Sequence, residues 1–175
     1  KVAVPGRRLV LDQRPVLVRA YYAINERLPA YRDGLFGRGL VALSADGRSR
    51  FDTFPLMVAD DLFLDSLFTP AEKAHLPQVA VLVETPSTTR ELLARLTRVR
   101  RGNAAMRAVG RDGGTPTSIR PAARWSWLTD VVLPQPWLAP AGIVYAALTL
   151  IAAARARRGP LMSTNWGRPA DGRRD

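Results

Sequence analysis

The spacing of apolar residues changes character several times along the chain. Residues 2–4 and 9–11 are short apolar runs split by Pro5-Gly6-Arg7-Arg8, which predicts two strand-like pieces joined by a turn. From Val16 the apolar positions Val16, Ala20, Tyr21, Ile24 and Leu28 recur at helical spacing until Pro29 stops them. Tyr31-Arg32-Asp33-Gly34 reads as a turn, Leu35 to Gly39 as a glycine-rich stretch and Leu40 to Leu43 as a brief strand. Ser44-Ala45-Asp46-Gly47 opens a short helix or turn that runs to Phe51. Phe54 to Val58 then leads into Ala59-Asp60-Asp61 and a helix whose apolar face is Leu62, Phe63, Leu64, Leu67 and Phe68.

The second half is organised on longer elements. Val79 to Val83 is a nearly unbroken run of β-formers, the pattern of a strand buried on both faces. Thr88 followed three residues later by Glu91 is a capping box, and it starts a helix predicted to reach about Ala108. The apolar stripe of that helix is Leu92, Leu93, Leu96, Val99 and Met106, and its other faces are rich in Arg. Gly110 to Pro116 is a loop, and 111–130 reads as a linker. Residues 131–154 carry no charge, but Pro134, Pro136 and Pro140 leave an unbroken helical stretch only from about Ala141 to Arg157. The uncharged part of that stretch spans roughly 21 Å at 1.5 Å per residue, against about 30 Å of hydrocarbon core. The segment 131–158 is therefore expected to be a membrane-associated or packing helix. Residues 159–175 are Gly/Pro/Arg-rich and read as a disordered tail.

Composition narrows the classes. The mixture of 47% hydrophobic and 23% charged residues is that of a globular chain. With no cysteine, disulfides and thiolate metal sites are excluded, and His75 is the single histidine, placed in a proline-bounded loop. No secretory signal precedes the first strand-like piece, so a reducing, cytoplasmic setting is expected. The first residue is Lys1, inside an apolar run, which fits a product cut from a longer polypeptide. The net charge of +11 sits almost wholly in residues 87–175, which hold 15 Arg against 5 acids. A basic half of this kind suits nucleic acid, nucleotide phosphates or an anionic membrane surface, and charge alone does not choose among them.

Three constellations could carry chemistry. Asp60 and Asp61 stand where an extended segment turns into a helix; there carboxylates either cap free N–H groups or supply a general base. Arg98 and Arg101 share one face of the long helix, either as a solvated face or as a clamp for a diphosphate. Gly37 and Gly39 bracket Arg38, which permits tight turns or close backbone approach to a ligand. Trp125, Trp127 and Trp137 flank or enter the apolar run, as interface anchors or as core.

Taken in order, these pieces are a glycine-rich turn, a strand, Phe-Pro and an acidic pair at a helix start. A β-forming strand and a capped helix with Arg98-Val99-Arg100-Arg101-Gly102-Asn103 follow. That order resembles the second half of the inverting family-2 glycosyltransferases of GT-A fold, over about Val2 to Met106. The resemblance implies an α/β fold: a partial GT-A-like mixed sheet with flanking helices, followed by an apolar carboxyl-terminal helix. Residues 1–110 would form the acceptor-side part of the catalytic domain. It implies Asp61 as the base with Asp60 supporting it, Arg98 and Arg101 on the nucleotide diphosphate, and Gly37, Arg38 and Gly39 on the acceptor side. Gly102 stands where the family motif has Trp, which argues against a processive polysaccharide synthase.

The family's amino-terminal half carries the nucleotide-binding units and an Asp-x-Asp that holds Mg²⁺ or Mn²⁺, and no Asp-x-Asp occurs in this chain. The resemblance thus implies an incomplete enzyme, inactive alone, whose complete form uses a divalent metal, a nucleotide-sugar donor and a carbohydrate or lipid-linked acceptor. A carboxyl terminus at the inner face of the cell membrane is implied as well, with nucleic acid not expected as a partner. The alternatives are a basic, non-catalytic module that binds nucleic acid or anionic membrane, and a small integral membrane protein anchored by 131–158.

Overall fold

A computed structural model describes residues 1–35, 37–54, 60–111 and 124–158, without the side chains of Asp60, Leu62 and residues 105–111. The lead Pro55–Ala59, residues 112–123 of the expected loop and linker, the Met106 side chain and the 159–175 tail lie outside the described residues. The protein is a mixed α/β structure built on a three-stranded sheet of order β2-β1-β3. The strands are β1 (Val2–Val10), β2 (Ala42–Leu43) and β3 (Lys73–Glu84). The helices are α1 (Val16–Asn25), α2 (Pro29–Asp33), α3 (Ala45–Arg48), α4 (Asp60–Ser66), α5 (Thr89–Arg111) and α6 (Ala139–Arg158). β1 pairs antiparallel with β2 and parallel with β3.

β1 runs straight through Pro5-Gly6, where the spacing predicted a turn. A proline without an N–H is tolerated inside a strand at a register irregularity, and the pairing with β3 shifts between Pro5 and Gly6. Pro5 faces Leu76 and Gly6 faces Ala80, so Pro77, Gln78 and Val79 bulge out of β3. A Cβ on Gly6 would stand 3.4 Å from the Val79 carbonyl oxygen. The dipeptide that looked like a turn thus accommodates the bulge of its neighbour. His75 accordingly lies in a strand, exposed, and not in a loop.

β3 is also not the buried strand its composition predicted. It is longer, and most of it is solvent-facing, with Leu82 67% exposed. Its far edge has no strand partner among the described residues. The reason is tertiary: α5 packs on α6 and α1, leaving the faces of β3 largely uncovered. A long apolar edge of this type is ordinarily covered or paired in stable proteins.

Three apolar clusters hold the elements together. Val2 and Val4 of β1 join Leu35, Phe63, Leu64 and Phe68, so α4 packs on the start of β1. Leu9 and Leu11 pack against a second cluster of Val18, Tyr21, Tyr22, Leu92, Leu93, Leu148 and Ala152, which unites α1, α5 and α6. Ile24 and Leu28 meet Val131 and Val132 in the third. Each of these larger side chains contributes about 1.5–3 kcal/mol on burial. The buried face of α1 is therefore Val18, Tyr21, Tyr22, Ile24 and Asn25, while Val16, expected in its stripe, is exposed. Val99 of α5 is exposed too. Helical period was right for both, but which side of the stripe meets a neighbour depends on helices remote in sequence.

Local chemistry sets several boundaries. Thr88 Oγ1 accepts from the Glu91 N–H at 3.1 Å, as a capping box requires, while Glu91 reaches back to Ser87 N–H at 2.9 Å. Tyr31–Asp33, read as a turn, falls within α2, which Pro29 opens with its fixed φ. Residues 124–130 of the expected linker enter a wide helical turn over Trp127–Val132, in which Leu133 N–H reaches back five residues to the Leu128 carbonyl at 2.8 Å. A Cβ on Gly142 would stand 2.8 Å from Val132 Cγ2, so glycine lets α6 seat tightly on that turn.

The chain between α4 and β3 is closed by Glu72, which accepts from Arg50 and from the Thr69 N–H at 3.0 Å. The Arg50 hydrogen bonds, and then those of Thr69, lower the Glu72 pKa from 4.5 to about 2. A lowered folded-state pKa stabilises the protein above the unfolded value, and the contribution disappears as pH falls through the folded one. Glu72→Gln should therefore lower the urea midpoint at pH 7. The gap to the unmodified protein should close between about pH 4.5 and 2. A gap that stays constant over that window would assign the loss to something other than the ionised carboxylate.

Candidate functional site

The glycine-rich stretch and the acids of α4 meet. Asp61 Oδ2 accepts from the Gly37 N–H at 3.3 Å, and Asp65 Oδ1 accepts from the Leu35 N–H at 2.9 Å. Asp65 also pairs with Lys73 Nζ at 2.6 Å, which ties α4 to the start of β3. Gly37 and Gly39 have φ of 70° and 72°, a left-handed conformation that a side chain strains. The two glycines reverse the chain around Arg38 and turn its guanidinium inward.

Arg38 is only 7% exposed. It donates to the carbonyls of Gly34 at 3.2 Å, Pro5 at 2.9 Å, Tyr31 at 3.1 Å and Arg32 at 3.0 Å. One side chain thus joins the end of α2 to the irregular point of β1. Burial, and then the neighbouring Arg7 charge, push the Arg38 guanidinium below its usual pKa. The planar fork of five donors makes Arg suited to this position, and Lys unsuited.

Beside this loop an open cleft of about 710 Å³ is lined by Gly6, Arg7, Tyr31, Arg38, His75 and Pro77 among others. Arg7 lies over the Tyr31 ring, 5.0 Å from its centroid. A Cβ on Gly37 would stand 3.4 Å from Arg7 Nη1, so the cleft and the Asp61-bound loop share a wall.

Of the residues singled out in the sequence, Asp61, Gly37, Arg38 and Gly39 fall in this one region, and Asp60 occupies the first position of α4 with its side chain undescribed. Arg98 and Arg101 lie on α5, in the helical layer of the second cluster. Arg98 is exposed, and Arg101 Nη2 donates to the Arg155 carbonyl at 3.2 Å, near the end of α6. Arg7, Tyr31 and His75 were not singled out for the site. The signal for them was Pro5-Gly6 inside an apolar run, which marks a strand irregularity as well as a turn.

Among the described residues no group of His, Asp or Glu could hold a metal ion. Asp65 is already committed to Lys73 and the Leu35 N–H. The divalent ion that the resemblance implies would be held by the Asp-x-Asp of the family's other half, and the residues described here are assigned no part in binding it. Compared with known proteins, the chain matches no family model, no curated protein and no solved structure.

Proposed function

We propose that the chain is the acceptor-side part of a GT-A-like glycosyltransferase, which moves a sugar from a nucleotide-sugar donor to an acceptor hydroxyl with inversion. The observation that carries the reading is the contact of Asp61 with Gly37, 24 residues away in sequence. It sets a partly exposed carboxylate against a left-handed glycine turn that walls an open cleft. Asp61 would take the proton of the acceptor hydroxyl as its oxygen attacks the anomeric carbon. The bond from that carbon to the diphosphate then breaks, and the nucleoside diphosphate leaves with the electron pair. Asp60 supports the base, and Gly37, Arg38 and Gly39 shape the acceptor side. The resemblance alone assigns the leaving diphosphate to Arg98 and Arg101, which lie on α5 with the second cluster, apart from the first cluster that holds α4. The open apolar edge of β3 is where strands of a donor-side half would add to the sheet. The test joins the chain to a donor-side half carrying an Asp-x-Asp and assays nucleotide-sugar-dependent transfer. Absence of transfer across carbohydrate and lipid-linked acceptors overturns the reading.

A specific observation favours membrane contact as well. The α6 region is long and apolar enough to cross a membrane, and only 17% of that window is buried. One face packs inward through Gly142, Leu148 and Ala152, and Tyr145 stacks on Tyr21 with centroids 5.1 Å apart. The other presents Ile143, 70% exposed, and Leu150, 69% exposed, with Ile151 beside it and Arg155, Arg157 and Arg158 beyond. A helix packed on one side and apolar on the other suits lying in the interface of an anionic bilayer, with its arginines at the headgroups. The chain should cosediment with phosphatidylserine vesicles, and Ile143→Asp with Leu150→Asp should release it. Replacing the three terminal arginines by Gln should weaken binding about fivefold per residue, from about 1 kcal/mol each. Equal binding by the Asp variant would remove this face from the interaction.

A further inference from the structure

We infer that the cleft between the irregular point of β1 and α2 binds the phosphate group of a phosphorylated sugar acceptor through Arg7. The inference rests on the acceptor-side reading of the Gly37 loop and names the substrate class for it.

Two guanidiniums, Arg7 and Arg38, lie close together at this cleft. Arg38 is nearly enclosed and spends its donors on four backbone carbonyls. Those carbonyls satisfy its N–H groups without neutralising its charge. Arg7 is partly buried, stacked on Tyr31, and has no carboxylate partner among the described residues. The two acids that line the cleft are already taken: Glu26 pairs with Arg27 at 2.6 Å and Asp33 with Arg32 at 2.9 Å. Uncompensated positive charge at a concave surface concentrates anions. An arginine with a free fork is suited to the two oxygens of a phosphate.

The surroundings fit the rest of such a ligand. His75 stands across the cleft on β3 and offers a further ring nitrogen. The Pro77–Val79 bulge opens the space that a regular strand pair would close. The volume, about 710 Å³, lies within the roughly 300–1,000 Å³ of small-molecule sites. Arg7 Nη1 lies 3.4 Å from where a Cβ on Gly37 would stand, on the turn that Asp61 holds, so a phosphate at Arg7 puts the sugar beside that turn.

The test is calorimetric titration of the full chain with a sugar 1-phosphate and, separately, with inorganic phosphate at fixed ionic strength. Saturable binding of the sugar phosphate, tighter than inorganic phosphate, is expected. Arg7→Gln should weaken it tenfold or more, and Arg7→Lys, which keeps the charge and the aliphatic stem on Tyr31, only severalfold. Thermal melts establish that each variant is folded, and the Lys variant serves if the Gln variant is not. Affinity unchanged in the variants, or inorganic phosphate bound as tightly as the ester, overturns the inference. Either result leaves the dependence of sugar transfer on Asp61 untouched, so the two readings fail separately.

Discussion

Asp61→Asn should lower sugar transfer by the reconstituted enzyme by about 10²–10⁴-fold, the usual contribution of a positioned base. The substitution is informative because the amide oxygen of Asn can still accept from the Gly37 N–H, which Asp61 Oδ2 accepts at 3.3 Å. The loop geometry is therefore retained while proton acceptance is lost. Rate at saturating acceptor should fall with little change in acceptor KM, since the proton moves only in the transition state. The melting temperature should hardly change. Full activity in the Asn variant would leave Asp61 as a loop anchor and remove it from the chemistry.

Arg38→Met should cost about 2–4 kcal/mol of stability, read from urea unfolding. Four carbonyl oxygens, of Gly34, Pro5, Tyr31 and Arg32, lose their donor together. An unsatisfied buried acceptor costs about 1–3 kcal/mol. Some of these carbonyls would turn to water, and removing an enclosed charge brings a compensating gain, so the net falls below the sum. Arg38→Lys should recover little of it, since one ammonium cannot span acceptors on both β1 and α2. With domains stable by only about 5–15 kcal/mol, either variant should unfold at markedly lower urea. A loss under about 1 kcal/mol would show that the carbonyls find other donors and that Arg38 does not lock the loop.

Much of the local structure was legible in the order of residues. The capping of α5 by Thr88, the short helix after Ser44 and the helical core of residues 141–157 all follow from contacts within a few residues. The acid pair and the glycine turn were legible as candidate pieces for the same reason: carboxylates at a helix start and closely spaced glycines are local signals. The meeting of Asp61 with Gly37 was not readable, since nothing in either segment specifies the other.

The tertiary structure alone decided four matters. It carried β1 through Pro5-Gly6, because the irregularity that admits a proline belongs to β3. It exposed β3, whose composition is that of a covered strand, because the helices pack on one another. It turned Arg38 inward and left Arg7 at a cleft, a distinction between two arginines that no composition or charge count contains. It divided α6 into a packed and an apolar exposed face, although its residues are nearly uniform in polarity. Sequence by itself determines what depends on neighbours within a turn or two: period, caps and chain reversals. Which face is buried and which charge is neutralised depend on residues brought together from far along the chain, and those are properties of the packed structure.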